Sequence, residues 1–440
     1  MALAMATHPR LGIDSPASKL TSELCQLILG WVSSVVVIDM GSGWCRAGFA
    51  GAVGPCAFFP SIVGVERHPG LVPPLPGFKT FANGLKGVVG DEAIQKRGIL
   101  RLIHPMEHSV VTNWDYMEQV YKHVFYEKLC VSPEEHPVLL TEGMLNPKAN
   151  RERLTQVMFE TFNVEAMYVA QTAVLSLYET GRTTGLVIES GEAVSWVTPV
   201  VEGYSVPHAA LRYDVAGRDV TEFLAKIMTE EMRMHFGTTS DREMVCDIKE
   251  QLAFVVMNYD EAYRKAMAQK PEDQSCAPYS PSDAMMKASS SNSYFGDVPP
   301  PGMPARGLPT SLNIPMQLLF RCSEVLFQPW MIGFSTCGIG DMAFDSTMKC
   351  DLDVRADLAA NVVLSGGTMQ IPGMASRLKK ELQDRLPTGM EVRVLAPTDG
   401  QRAAWRGGAL LASLDLFAPM WIKMSEYDEE GPQIVHKKCF

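Results

Sequence analysis

An acidic residue followed by a glycine-rich turn stands near the start of the chain. Four β-branched residues lead into Asp39, then Gly41, Ser42 and Gly43 follow, and Arg46 stands on the returning stretch. This pattern predicts a β-hairpin whose mouth carries a carboxylate, a hydroxyl and a cation. Glycines lack a Cβ, so the backbone N–H groups of such a turn can approach an anion. A carboxylate beside a phosphate seat is best explained by a metal ion between them, held directly or through water.

A second hairpin in the middle of the chain repeats this order of residue types. An apolar stretch leads into Glu189, Gly191 and Glu192 follow, and a stretch containing Trp196 returns. A single turn of this kind is most often only a turn. Two such hairpins, far apart in the sequence, predict two similar halves that close on one nucleotide.

Glycines also stand at the start of two predicted helices. Gly366, Gly367 and Thr368 separate a predicted strand from a predicted helix, and Gly217 and Arg218 introduce another helix. The Gly-Gly pair between a strand and a helix places free backbone N–H groups at a ligand. The alternation of strands and helices along the chain predicts an α/β fold of mixed sheets covered by helices.

Length and composition narrow the class of protein. A chain of 440 residues predicts two domains or one two-lobed body. The net charge of −11 argues against direct nucleic-acid binding, and no stretch has the apolar length of a membrane span. The ten cysteines include no C-x-x-C pair, which predicts reduced thiols in the cytosol or nucleus instead of a disulfide framework or a zinc site.

Three stretches are predicted to lie outside the compact body. Residues 1–33 form an extension that is largely disordered, with a short helix over residues 21–31. Residues 68–88 are rich in Pro and Gly and predict a mobile surface loop. Residues 267–309 are rich in Ser, Pro and Gly and predict an inserted flexible loop.

Beyond these local patterns, the chain resembles actin over roughly residues 34–265 and 310–440. The matching strings keep the family's order: VGDEA and KRGIL within 89–100, VTNWD at 111–115, EHPVLLTE at 135–142, LNPKANRE at 145–152, MFETFN at 158–163, GRTTG at 181–185, and IVH with CF at the end. The resemblance implies a two-lobed actin-like ATPase fold, with a mixed sheet flanked by helices in each half. It implies ATP or ADP with Mg²⁺ or Ca²⁺ in the cleft between the lobes. The first lobe would comprise residues 34–178 with 405–440, including loop 68–88 in its small subdomain, and the second residues 179–404.

The resemblance also implies which residues contact the nucleotide. It assigns the phosphates and the metal to Asp39, Gly41, Ser42, Gly43, Arg46, Glu189, Gly191 and Glu192. It assigns the nucleoside side and the third glycine-rich segment to Gly217, Arg218, Lys249, Glu250, Gly366, Gly367 and Thr368. The divalent cation would be held through water by Asp39 and Glu189.

Departures from the family pattern cluster where the attacking water is positioned. Thr172 replaces the glutamine that orients this water, and Trp196 replaces a histidine that helps to hold it. Gln171 precedes Thr172, but one residue of a helix is about 100° of rotation, so Gln171 is not expected to substitute. Loss of both groups predicts weak or absent hydrolysis. The alternative is that Thr172 merely packs within its helix.

Other departures change the shape of the cleft. Where the family has Lys, Asp, Asp, Gly, Tyr and Lys, this chain has Arg46, Glu189, Glu192, Ala193, Ile371 and Gln401. The glycine-rich turns that would bind the phosphates through their backbone remain, and so does Asp39. The sequence therefore predicts that ATP still binds, with lower affinity.

Two classes of function remain open. One is an actin-like cytoskeletal protein of the cytoplasm that acts through filament self-association or contacts with actin-family and actin-binding proteins. The other is a non-polymerising subunit of a larger assembly, an axonemal inner-arm dynein or a nuclear chromatin complex. The apolar turn at 328–336 favours the first class, and the three added stretches favour the second. An enzyme of the same broad fold, such as a sugar kinase or a chaperone ATPase, is disfavoured by the actin-specific strings.

Overall fold

The computed structural model describes residues 35–66, 78–81, 84, 86–97, 99–234, 236–237, 239–268, 275–280 and 312–439. The predicted extension over residues 1–33 lies outside these ranges, as do the larger parts of the predicted loops 68–88 and 267–309. Within these ranges, no helix combines the length and the apolar character that a membrane crossing requires.

The described strands and helices alternate along most of the chain. The strands are β1 (Val36–Met40), β2 (Trp44–Phe49), β3 (Ala57–Pro60), β4 (Val63–Glu66), β5 (Lys79–Thr80), β6 (Lys86–Val89), β7 (Leu100–Ile103), β8 (Met106–Glu107), β9 (Val110–Val111), β10 (Val138–Glu142), β11 (Ala166–Gln171), β12 (Gly185–Ser190), β13 (Ser195–Val201), β14 (Tyr204–Ser205), β15 (Leu211–Tyr213), β16 (Cys276–Tyr279), β17 (Leu312–Pro315), β18 (Val362–Ser365), β19 (Val394–Leu395) and β20 (Ile422–Lys423). The helices are α1 (Asp91–Gln95), α2 (Trp114–Lys122), α3 (Lys148–Gln156), α4 (Thr172–Glu179), α5 (Gly217–Met232), α6 (Thr239–Leu252), α7 (Tyr259–Ala268), α8 (Met316–Glu324), α9 (Ile339–Lys349), α10 (Leu352–Ala360), α11 (Met374–Arg385), α12 (Ala403–Ala412), α13 (Met424–Glu430) and α14 (Val435–Lys438).

Two mixed sheets repeat one arrangement. In the first sheet, β1 pairs antiparallel with β2 and parallel with β10, which pairs parallel with β11. In the second sheet, β12 pairs antiparallel with β13 and parallel with β18, which pairs parallel with β19. Strands β1, β10 and β12 are buried along their whole length, as expected for central strands covered on both faces. The predicted α/β fold with two similar halves is therefore confirmed.

Helices α4 and α12 pack between the two sheets. Leu175 of α4 belongs to the core of the first half, whereas Leu177 packs against Val187 and Val363 of the second. A Cβ on Gly407 of α12 would lie 1.9 Å from the carbonyl oxygen of Leu175, so only glycine permits this approach of the two helix backbones. The two halves therefore share a continuous apolar contact through α4.

Two local predictions were wrong. Strand β6 lies at the end of the predicted loop 68–88, because Val88 and Val89 are buried in a four-stranded sheet. Strand β16 lies within the predicted flexible loop 267–309 and pairs with β17. It is anchored by the fully buried Tyr279, whose hydroxyl donates to Asp247 Oδ2 at 2.9 Å.

Candidate functional site

The first hairpin carries its acid beside a cation. Asp39 and Arg46 are directly opposite each other on β1 and β2. Arg46 Nη1 donates to Asp39 Oδ2 at 3.0 Å, and Thr141 Oγ1 donates to Asp39 Oδ1 at 2.6 Å. All three residues are buried. Arg46, which the resemblance assigned to the phosphates, thus neutralises Asp39 within the hairpin.

The turn of this hairpin is held from two directions. The Gly41 N–H donates to the carbonyl oxygen of Trp44 at 3.0 Å, which closes the turn. Ser42 Oγ accepts from the backbone N–H of Ser109 at 3.0 Å. His108 and Ser109 have φ of 48° and 64°, a left-handed conformation that is uncommon for residues other than glycine and that concentrates at functional sites. The Ser42 hydroxyl therefore connects the turn to a strained segment.

The second hairpin surrounds its acid with hydroxyls. Thr172 Oγ1 donates to Glu189 Oε2 at 2.8 Å, and Ser176 Oγ donates to Glu189 Oε1 at 3.2 Å. Ser176 also shares a hydrogen bond with Ser365 at 2.8 Å. Burial raises the pKa of Glu189 to about 7, and the negative charge of Asp39 adds to this effect, while the hydrogen bonds from Thr172 and Ser176 oppose it.

The two turns meet at Gly43 and Glu192. A Cβ on Gly43 would lie 3.0 Å from both Cβ and Oε2 of Glu192. Glu192 Oε1 accepts from Nε and Nη2 of Arg218 at 3.2 and 3.1 Å. Glu192 Oε2 is buried and has no hydrogen-bond partner in the part of the chain that the structure describes. A buried carboxylate oxygen in this position is suited to a hydrated metal ion.

A second group of predicted residues converges beside Gly191. Thr368 Oγ1 donates to the carbonyl oxygen of Gly191 at 2.7 Å, and the Gly217 N–H donates to the same oxygen at 3.1 Å. Lys249 Nζ donates to the carbonyl oxygen of Gly217 at 3.2 Å. A Cβ on Gly217 would lie 2.6 Å from Thr368 Oγ1, so this junction has no room for a side chain.

The third glycine-rich segment approaches the same turn. Gly366 has a φ of +88°, and a Cβ there would lie 2.2 Å from the carbonyl oxygen of Ser190. A Cβ on Gly367 would instead meet only the side chain of Gln401, at 3.8 Å. Ile371 is partly buried against the core of the second half. The segment thus has room for a methyl group at Gly367, where it would be in van der Waals contact with Gln401.

Glu250 takes no part in the contacts described above. It is exposed on α6, and its Oε1 accepts from the thiol of Cys246, on the same helix, at 3.5 Å. The remaining predicted residues come from the two hairpins, the start of α5, Lys249 and the segment after β18.

The two positions at which the family's water-positioning residues are replaced carry side chains with other contacts. Thr172 is the first residue of α4, and its hydroxyl is used by Glu189. Gln171 is the last residue of β11, so the argument from helix rotation was wrong, because the helix begins after it. Its Oε1 is buried without a hydrogen-bond partner among the described residues. Trp196 is buried in an apolar cluster with Met144, Val194 and Ala210.

The sequence reasoning missed several residues that surround the two acids. Thr141, Ser176 and Ser109 contact Asp39, Glu189 and Ser42, respectively, and Ser365 contacts Ser176 and Glu189. Two of them could have been found from the strand order, because Thr141 and Ser365 lie near the carboxyl end of a strand parallel to the strand that carries an acid. Thr141 is next to Leu140, which pairs with Ile38, and Ser365 pairs with Glu189.

A metal ion bound here could take its ligands from protein side chains alone or also from water. Within the described ranges, no three His, Cys, Asp or Glu side chains come together as a metal-binding group. This arrangement is compatible with an ion that keeps most of its water, as Mg²⁺ usually does.

A comparison with known families covers both halves of the molecule. The family model described as Actin matches residues 32–440, which include both sheets and every segment of the site. The first 31 residues lie outside the match. The resemblance inferred from the sequence strings is thereby confirmed, and the chain belongs to the actin family.

Proposed function

We propose that this chain binds ATP or ADP with Mg²⁺ or Ca²⁺ between its two hairpin turns, hydrolyses ATP slowly or not at all, and acts through protein contacts. The observation that carries the proposal is the meeting of Gly43 and Glu192, with a buried carboxylate oxygen left unpartnered between the turns. Members of the family generally bind a nucleotide with a divalent cation. The residues present fit this group.

Each half contributes different groups to the proposed nucleotide-binding site. Gly43, Gly217 and Gly366 stand where a side chain would collide with a neighbour, so backbone groups can line the cleft. Asp39, Glu189 and Glu192 supply the carboxylates that would hold a hydrated cation. When bound, that cation would offset the negative charge of the phosphates between the turns.

Slow hydrolysis is supported by the groups around Thr172 and Trp196. Hydrolysis needs a side chain that holds a water in line with the terminal phosphate. The Thr172 hydroxyl donates to Glu189, and the Trp196 ring lies in an apolar cluster. Arg212 lies over this ring at 5.6 Å, which stabilises the ring in place.

Binding can be tested at Gly367, where a methyl group has room in the fold. Gly367→Ala should preserve the thermal stability of the nucleotide-free protein, because the fold has room for the methyl group. It should weaken Mg-ATP binding about tenfold or more, because the methyl group would enter the proposed nucleotide-binding site. Gly54→Ala, where a Cβ meets nothing within 4 Å, is the matched control. Isothermal titration gives the affinities. Absence of both heat and a thermal shift with the unmodified chain would contradict the proposal.

Hydrolysis can be tested by restoring the family's residues. The double variant Thr172→Gln, Trp196→His should raise ATP turnover about 100-fold, because positioned acid–base groups typically contribute 10²–10⁴-fold. Thr180→Gln, just past the other end of α4, is the control and should leave turnover unchanged. Phosphate release in single-turnover assays measures the rates. A rate for the unmodified chain equal to that of conventional actin would refute slow hydrolysis.

The ribbon of β16 and β17 favours a second candidate, a non-polymerising subunit of an axonemal or nuclear assembly. Tyr279 pairs with Leu312 at the end of the ribbon, so the described chain stops and resumes at neighbouring points around the inserted stretch 281–311. An addition of this kind could crowd neighbours in a filament. A pelleting assay distinguishes the candidates: sedimentation with Mg-ATP supports the cytoskeletal role in the cytoplasm, and a soluble chain that co-purifies with a defined complex supports the second.

A further inference from the structure

A surface groove of about 350 Å³ lies away from the nucleotide site, at the opposite edge of the first sheet. Pro137 and Ala166 mark the amino ends of β10 and β11, whereas the acids of the site stand near the carboxyl ends of β1 and β12. This basal groove is defined by its apolar lining of Pro137, Ala166, Ala418, Trp421 and Met424. Its volume is within the range of protein pockets that hold a ligand.

Charged residues of both signs accompany this apolar lining. Glu165 and Lys423 line the basal groove and are exposed. An apolar trough with charges at its border is the kind of surface that receives the apolar face of an amphipathic helix.

The chain itself enters the body beside the basal groove. Val35 is the first described residue, and the backbone N–H of Val36 donates to the carbonyl oxygen of Pro137 at 2.9 Å. The preceding 34 residues therefore start from the edge of this groove. The family match begins at residue 32, so most of this stretch is an addition to the family's fold.

The sequence just before this entry point has the pattern of a helix with one apolar face. Leu20, Leu24, Leu27, Ile28 and Trp31 follow the spacing of four, three, one and three residues that places side chains on one side of a helix. Trp31 stands four positions before Val35, and a chain of that length spans at most about 14 Å. Trp31 is therefore within reach of the basal groove.

The same stretch carries charges that can meet those of the groove. Lys19 and Glu23 are four residues apart, as on neighbouring turns of a helix. Lys19 is opposite in charge to the exposed Glu165, and Glu23 is opposite in charge to the exposed Lys423. The length of the connection, the apolar spacing and the charges thus all favour this segment as the occupant of the basal groove.

We propose that residues 20–32 dock as an amphipathic helix in the basal groove of the same molecule, with Trp31 as the apolar anchor. The docked segment covers the apolar lining at the base of the first sheet. This contact is independent of the nucleotide and of the hairpin turns.

Hydrogen–deuterium exchange of the full chain tests this docking. Amides of residues 20–32 should exchange about tenfold or more slowly than in an unstructured peptide. Ala418→Asp, at an exposed position of the groove, and Trp31→Ala should each abolish this protection. Leu416→Asp, at a side chain that is 91% exposed and does not line the groove, is the matched control and should retain it.

Each alternative outcome has a distinct signature. Unprotected amides in the unmodified chain would overturn the proposal, and so would protection that persists in Ala418→Asp, because the segment would then dock elsewhere. Protection that rises with protein concentration, together with a dimer in light scattering, would overturn docking within one molecule and assign the groove to a second copy.

Discussion

The two hairpins place an acid at the same position of the same repeated arrangement, but they surround it with different chemistry. Asp39 accepts hydrogen bonds from a guanidinium and a hydroxyl, and the cation is 3.0 Å away. Glu189 accepts from two hydroxyls, and its pKa is raised to about 7. Strand β13 places Trp196 opposite Glu189, whereas β2 places Arg46 opposite Asp39. One acid is therefore paired with a cation, and burial keeps the other partly protonated near pH 7.

This difference explains how a duplicated arrangement can serve two tasks. The first acid is a fixed part of the fold because its charge is compensated locally. The second acid gains most from a cation that comes from outside, because desolvation disfavours its charged form. Four substitutions test this difference between the two acids, and they follow in the order of their expected effect.

Removal of the cation from the first hairpin should have the largest effect. Arg46→Met leaves Asp39 buried without its partner, and breaking a buried pair in this way costs about 3–5 kcal/mol in the free energy of unfolding. Arg393→Met breaks the 2.8 Å pair of Arg393 with Glu391, whose side chains are exposed, and should change the free energy of unfolding little. Urea denaturation measures both values. Equal effects would show that Asp39 does not depend on Arg46.

The effect of neutralising Glu189 on the free energy of unfolding should depend on pH. The pKa of Glu189 is raised from 4.5 to about 7, so between these values the native state holds a proton that the unfolded state releases. Stability from this group is present below pH 4.5 and is lost as the pH rises through 7, by up to about 3 kcal/mol. Glu189→Gln removes this loss because the amide stays neutral.

The measurement is urea denaturation at pH 5 and pH 8 in EDTA without nucleotide. The unmodified chain and Glu189→Gln should have similar unfolding free energies at pH 5, and the variant should be more stable at pH 8. A difference that is the same at both pH values would show that Glu189 is charged throughout the range.

Removal of one hydroxyl from each acid should give the smallest effects. Thr141→Val should cost about 1.5–3 kcal/mol at both pH values, because it removes a hydrogen bond to a salt-bridged carboxylate. Thr172→Val should cost about 1 kcal/mol or less at pH 5 and more at pH 8, where Glu189 is charged. The same denaturation series gives both values. If the two valine variants behaved alike with pH, the acids would not differ in charge.

Local patterns in the sequence predicted a large part of the fold. Both hairpins were predicted, because their apolar runs and glycine turns are local signals. Strand β16 was missed because its Cys-Ala-Pro-Tyr sequence gives almost no strand pattern, and it is held by pairing with β17 and by Tyr279.

The partners of the site residues were less predictable. Arg46 was expected to face the phosphates, yet the register of β1 and β2 places it opposite Asp39. The hydroxyls around Glu189 come from α4 and β18, which are distant in sequence. Such contacts depend on how strands and helices are stacked in three dimensions, and composition and periodicity carry no record of that stacking.

The ribbon of β16 and β17 also makes this chain a convenient one to label. Because Tyr279 pairs with Leu312, the ends of the intervening stretch are held together by the ladder whatever its length. Doubling the length of a flexible connection costs only about 0.6 kcal/mol of closure entropy. A fluorescent reporter inserted within residues 281–311 should therefore leave both halves folded, which offers a means to follow the protein in living cells without touching the site or the basal groove.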